Sequence, residues 1–258
     1  MGVLAGKVAI VTGCGSMGGI GAATVRRLLA DGATVYVTDR VADDARAVAE
    51  AAGAKAMGVD VTDRAQIDAC VAAVVASHGR VDILVNNAGT AAGGKPFLEV
   101  TDADWHTSFA VNIKGTADFC QAVIPQMQAQ GGGAIVNLSS MTGIGAQRAF
   151  GAYTTAKHAL IGMTKTIAAE FGPDNIRCTA VCPGFIATEF HEGVNRRLAS
   201  EKGMELDAFK QERYNQVALR RAGTPDEVAE LIAFICGPGG AYVTGVAMPV
   251  TGGVQLGL

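Results

Sequence analysis

Short runs of branched apolar residues alternate with alanine-rich stretches of helical periodicity along nearly the whole chain. That alternation limits the architecture more than any other feature. Segments 8–11, 34–38, 54–59, 82–85, 134–138, 176–181 and 246–250 have the length and branching of buried strands. Between them the spacing predicts helices over 22–30, 42–52, 63–77, 102–130, 153–171 and 225–236, with Asp31-Gly32 and Gly53 as stops and Thr62 as an N-cap. Strands joined through helices run parallel, and the helices cover both faces of the sheet. The expectation is therefore an α/β chain with a doubly wound parallel sheet, one domain over residues 1–258. Residues 189–222 are charged and mixed; they are predicted as short surface helices forming a lid over a substrate.

Composition removes several classes of function. The net charge is −3 with no basic run, which argues against a nucleic-acid partner. No apolar run approaches the roughly 20 residues of a membrane span, and the opening MGVLAGKVAIVTG is not expected to be a signal peptide. Six cysteines without a CxxC pair predict no metal site and a reducing compartment. The expected location is the cytoplasm.

The stretch TGCGSMGGIG follows a predicted strand and opens a predicted helix, the setting in which glycines approach a pyrophosphate. Two registers fit: Gly13, Gly15 and Gly18, or Gly15, Gly19 and Gly21. Ser16, Met17 and Ile20 lie in the same loop as candidate cofactor contacts. Asp39 closes the second strand 18 residues after Gly21, where a carboxylate binds ribose hydroxyls and repels a 2′-phosphate. The expected cofactor is accordingly NAD(H) rather than NADP(H), although Arg40 offers a guanidinium to a phosphate. Asp60 and Val61 end the third strand, with Asp60 either facing adenine or making a turn. Asn87, Ala88 and Gly89 follow the fourth strand, at the sheet edge where ligands bind.

In AIVNLSSMTGIGAQRAFGAYTTAK, residues 134–157, a strand leads to Ser139 and Ser140, then a glycine-rich loop, then Tyr153 with Lys157 four residues later. On a helix that spacing places phenol and ammonium one turn apart on one face. A nearby ammonium is expected to draw a tyrosine's pKa down from about 10, fitting it to exchange a proton with an alcohol oxygen.

Together TG…GGIG, Asp39, Asp60, NNAG at 86–89, Asn112 in VNIKG, Ser140, YTTAK and PGFIAT at 183–188 resemble the short-chain dehydrogenase/reductase family over almost the entire chain. The resemblance implies a Rossmann-type domain and an oxidoreductase acting on CH–OH groups. It makes Tyr153 the general acid/base, Lys157 the ribose contact that tunes it, Ser140 the holder of the substrate oxygen, and Asn112 the holder of a relay water. Pro183, Gly184 and Ile186 would wall the nicotinamide, with Thr188 near its carboxamide. It also implies a homotetramer or homodimer built on helices 102–130 and 153–171. Two departures stand out: two extra residues between Thr12-Gly13 and Gly19-Ile20-Gly21, and Thr251 where the family often has Asp before two glycines.

Candidate substrate walls are Met141, Thr142, Gln147, Arg148, Phe150, Phe185 and His191, mostly apolar or aromatic, which fits a small to medium secondary alcohol or ketone. The leading reading is an NAD(H)-dependent alcohol dehydrogenase or carbonyl reductase. Its rivals are an NADPH-dependent 3-oxoacyl reductase and a non-catalytic nucleotide sensor.

Overall fold

The computed structural model describes residues 2–254. All the strands run parallel in one seven-stranded sheet: β1 (Val8–Thr12), β2 (Thr34–Asp39), β3 (Lys55–Gly58), β4 (Ile83–Asn86), β5 (Gly133–Leu138), β6 (Ile176–Pro183) and β7 (Ala247–Val250). Their order is β3-β2-β1-β4-β5-β6-β7. The chain winds one way from β1 and then the other way from β4, so the crevice at the carboxyl ends of β1 and β4 is the natural ligand site.

The helices are α1 (Ile20–Ala30), α2 (Ala42–Ala52), α3 (Arg64–His78), α4 (Asp102–Phe109), α5 (Gly115–Ala129), α6 (Gly151–Phe171), α7 (Glu189–Glu201), α8 (Leu206–Tyr214) and α9 (Pro225–Cys236). β1 shows how they cover the sheet. Ala9 and Val11 face a core shared with Val25 and Leu28 of α1 and Ile232 of α9. Val8 and Ile10 face one shared with Val74 of α3, Phe119 of α5 and Ile167 of α6. The strand's period of two thus feeds both layers. Met141, Phe185 and Val217 form a third, small cluster with Tyr214 and Val254, apart from the other two.

Several predicted boundaries shift for local reasons. The long helix 102–130 is interrupted by a π-helical segment, Ala110–Lys114, that carries Asn112. Asp63, not Thr62, caps α3, accepting from the Ala65 and Gln66 amides at 2.9 and 3.2 Å. Thr62 is held in Asp60's turn instead. α6 begins two residues before Tyr153. Segment 189–222 forms α7 and α8 and then continues irregularly. Among the described residues no helix is long and apolar enough to cross a membrane, and no cluster of His, Cys, Asp or Glu could hold a metal.

Asp82 ties the sheet's centre together. Its carboxylate accepts from the Val8 amide at 2.9 Å, from Lys7 Nζ at 3.0 Å and from Arg80 Nε at 2.7 Å. Burial raises its pKa, but hydrogen bonds from Arg80, Val8 and Lys7 outweigh that and hold it below the usual carboxylate value. Its stabilisation is present above the unfolded pKa and is lost as pH falls through the folded one. Asp82→Ala should cost about 2 kcal/mol, a figure held down by the partial exposure of both cations. In urea at pH 7 the unfolding midpoint should drop, and the gap from the parent should close at acid pH.

Candidate active site

The first turn is tight because it has to be. Gly13 has φ 67°, and a Cβ there would lie 2.4 Å from Ala88 Cα. Gly21 packs equally close, its would-be Cβ 2.7 Å from Asn87 Nδ2 and 2.8 Å from Cys14 Sγ. Gly18 meets nothing within 4 Å, so the third position of the Gly13, Gly15, Gly18 register has no packing requirement for glycine. The NNAG run braces this turn. Asn87 Nδ2 donates to Thr12 O and Gly13 O at 2.9 and 2.7 Å, while Thr12 Oγ1 accepts from the Asn87 and Ala88 amides.

Two of the loop's amides are committed inside the protein. Gly15 N–H donates to Asp39 Oδ2 at 2.8 Å, and Gly19 N–H to Ser16 O at 3.0 Å. Ile20, the first residue of α1, carries a first-turn amide with no intrahelical partner. Ser16 Oγ donates to Glu189 Oε2 at 3.0 Å, bridging the glycine loop to the start of α7.

A cleft of about 570 Å³ runs along the strand ends. It gathers Gly13, Ser16, Gly19, Ile20, Asp39, Arg40, Asp60, Val61, Asn87, Ala88 and Gly89 with Ser140, Thr142, Phe150, Tyr153, Lys157, Pro183, Gly184, Phe185, Ile186, Thr188 and His191. Met141 and Gln147 line it as well.

Five predicted residues stand off its wall. Gly15's amide is taken by Asp39, Met17 is half exposed, and Gly21 is locked in packing. Asn112 is fully buried, its side chain spent on Thr90 N and O at 3.0 Å each and Ser108 Oγ at 3.3 Å. Even so, a Cβ on Gly89 would meet both Asn112 Oδ1 at 3.1 Å and Lys157 Nζ at 3.5 Å, so the two groups face one narrow space. Arg148, expected at the substrate, is exposed and does not line the cleft. Ala149 takes the left-handed φ of 61°, which turns Phe150 inward and leaves the Arg148 side chain in solvent, where a charge without an acidic partner is best hydrated.

Ser140 and Thr142 form a pair, Thr142 donating to Ser140 Oγ through its amide at 3.1 Å and its hydroxyl at 3.0 Å. With both acceptor positions of Ser140 occupied, its own proton is left to donate into the cleft. Ser139 instead donates to Lys157 O at 2.8 Å, bracing α6. Thr188 caps α7, accepting from the His191 amide at 3.2 Å.

Tyr153 stands between Phe150 and Phe190, with ring centres 6.0 and 6.4 Å away. Lys157 Nζ lies 5.5 Å from its ring centre and donates to Leu138 O at 2.7 Å. The expected lowering of the tyrosine is reversed in this form. Burial pushes Tyr153 up to about 12, against a smaller opposing effect of the Ser140 hydroxyl. Burial also brings Lys157 down to about 8.

Sequence reasoning passed over Val59, Thr62, Thr90, Thr107, Val111, Leu138, Glu189, Phe190, Val194 and Arg213, all of which line the cleft. Phe190 and Val194, four apart on one helical face, were a readable sign. Arg213 carried none.

A family model described as enoyl-(acyl carrier protein) reductase matches residues 13–255. The chain is 39% identical over 252 residues to the short-chain reductase protein NovJ of Streptomyces niveus, covering 96% of this chain and 93% of that one. It is 37% identical over 258 residues to the 3-oxoacyl-(acyl-carrier-protein) reductase FabG of Thermotoga maritima, covering 98% and 99%. A crystal structure of NAD⁺-bound xylitol dehydrogenase superposes with a TM-score of 0.90 at 32% identity, over 97% of this chain and 99% of that one. With this fold and this kinship, the chain belongs to the short-chain dehydrogenase/reductase family and is an NAD(P)-dependent oxidoreductase.

Proposed function

We propose that the enzyme transfers a hydride between NAD(H) and a secondary alcohol or ketone, with Tyr153 as general acid/base. The observation that carries this reading is the meeting of Tyr153, Ser140 and Lys157 on one wall of a cleft whose other reach holds Gly13 and Asp39. The residues present fit a dinucleotide. Gly13 lets the turn pack against Ala88 at the cleft wall, Ile20 N–H is a first-turn amide of α1 with no intrahelical partner, and the Asp39 carboxylate borders the cleft. Bound there, the cofactor supplies the hydride chemistry at the substrate carbon.

The chain's own residues handle the oxygen. In reduction, Tyr153 donates its phenolic proton to the carbonyl oxygen while Ser140 Oγ–H holds that oxygen. In oxidation, the phenolate takes the proton back from the alcohol. A tyrosine raised by burial keeps its proton through the neutral range, as the donor role in reduction requires. Lys157 would hold the ribose from the buried side, with Asn112 positioned behind it across the Gly89 space.

Asp39 supports NAD(H), because a carboxylate beside the ribose repels a 2′-phosphate. Xylitol dehydrogenase, with NAD⁺ bound, supports the same choice. Arg40 also lines the cleft and favours the second reading, an NADPH-dependent ketoreductase. Fluorescence titration with NADH and NADPH, followed by a panel of ketones and secondary alcohols, tests both. NADH preference with turnover is expected; no turnover with either cofactor would overturn the proposal. Asp39→Asn keeps an acceptor for the Gly15 amide and removes the charge. It should shift the NADH-to-NADPH affinity ratio about tenfold towards NADPH, or about 1.4 kcal/mol.

α7 and α8 would act as the lid, and the Ser16–Glu189 contact would mark its closed position. For assembly we carry a homotetramer on α4–α5 and α6. Ala156 is buried inside the protomer, which leaves Gly162 exposed and Ala117 and Ala159 partly exposed for such a contact.

A further inference from the structure

The wall that holds Phe185 and His191 contains a cation that the proton chemistry does not use. Arg213, in α8, is 7% exposed, and it lines the cleft. Its guanidinium carbon lies 4.1 Å from the ring centre of Phe185 and 5.7 Å from that of Phe209. Nη1 donates to Asn195 Oδ1 at 2.5 Å. Four of the five carboxylates on the same two helices are engaged elsewhere: Glu192 with Lys210, Glu201 with Arg197, Glu212 with Lys202 and Glu189 with Ser16; the fifth, Asp207, is exposed in the first turn of α8 and makes no ion pair with Arg213.

A guanidinium has five N–H donors, and withdrawing it from water without a counter-charge is costly. Burial accordingly brings Arg213 down to about 10. Two neighbouring polar groups share the shortage, since His191 Nε2 and Asn195 Nδ2 are buried with no partner among the described residues. The Asn195 amide cannot relieve this by flipping, because it would then turn a donor towards the arginine. His191, stacked on Phe185 with ring centres 5.4 Å apart, is lowered to about 3 by burial, Arg213 and Lys210, and so stays neutral. This part of the wall therefore presents one unit of positive charge in a planar fork, which matches a carboxylate better than a phosphate dianion. Phe150, Phe185 and Phe190, also on the cleft wall, offer apolar surface to an alkyl spacer.

We infer that the substrate carries a carboxylate remote from its reacting carbon, bound by Arg213 with His191 Nε2 as a second contact. The substrate class is thus an oxo acid or hydroxy acid. This assignment rests on the dehydrogenase reading for the reacting end and extends it.

The test compares 4-oxo to 8-oxo alkanoic acids, each with its methyl ester, as substrates with NADH. For at least one chain length the acid should exceed its ester by about tenfold or more in kcat/KM, mainly through KM. Arg213→Gln should bring that ratio to within about threefold of one, each protein serving as its own control, and Arg213→Lys should retain part of it. Asn195→Asp guards against a folding defect, because it gives the guanidinium an internal counter-ion. That variant should melt at a higher temperature than the parent and lose the acid preference. A ratio near one in the parent, or a full ratio in stable Asn195→Asp, overturns the inference.

If neither acids nor esters turn over with NADH or NADPH, the dehydrogenase reading fails by itself. Butyrate to octanoate, which cannot be reduced, then test the anion site alone by thermal shift. Stabilisation of the parent but not of Asn195→Asp sustains the Arg213 assignment; no stabilisation of the parent overturns it.

Discussion

Tyr153→Phe is expected to lower kcat by about 10³-fold while the Kd for NADH stays within about threefold of the parent's. The substitution removes one oxygen and leaves the ring between Phe150 and Phe190, so the wall keeps its shape. What disappears is the phenolic proton that the proposed mechanism delivers beside the Ser140 hydroxyl. Stopped-flow reduction by NADH, paired with fluorescence titration, separates the two quantities. Near-normal turnover in this variant would remove Tyr153 from the proton step and with it the proposed mechanism.

Lys157→Met should abolish useful turnover and yet make the protein more stable. The ammonium is 4% exposed, has a carbonyl rather than a carboxylate as its partner, and is lowered to about 8 by burial. Against an unfolded value of 10.5 that shift corresponds to about 3 kcal/mol of penalty. Leaving Leu138 O without its donor returns about 1 kcal/mol, so the net gain is about 2 kcal/mol, or roughly 4–8 °C in Tm for a chain of this size.

The pH dependence has a definite sign. Below about 8 both folded and unfolded forms carry the charge and the full penalty applies. Between 8 and 10.5 the folded form loses its proton first, so the parent gains stability as pH rises. The advantage of Lys157→Met should therefore narrow between pH 7 and pH 10 in thermal scans. Tyr153 acts in the opposite sense and only above 10, where the unfolded tyrosine ionises first and the folded form loses stability. A variant less stable than the parent at pH 7 would mean that the ammonium's bond to Leu138 outweighs its desolvation.

Much of this site could be read from the chain because strand ends are readable. Asp39, Asn87 and Ser140 follow apolar runs whose parallel pairing brings their carboxyl ends into one row. The four-residue spacing of Tyr153 and Lys157 needed only a helix. Quantities set by enclosure were not readable. The pair's spacing points to an acidic phenol, but burial dominates both groups and reverses that expectation. The exposure of Arg148 was not readable either, because no residue type announces the left-handed turn at Ala149. Arg213 was missed because its burial depends on α8 packing against α7 and Phe185, in a segment whose charge reads as a solvated surface.

The small cluster of Met141, Phe185 and Val217 has a consequence for how such an enzyme can diverge. The two large cores hold the sheet and the helices on its faces, whereas Phe185 and Tyr214 anchor the α7–α8 side of the cleft to a patch of its own. Changes there repack a few side chains and leave the scaffold's free energy largely untouched. Descendants of one gene can therefore exchange the molecules they recognise while inheriting the proton machinery intact.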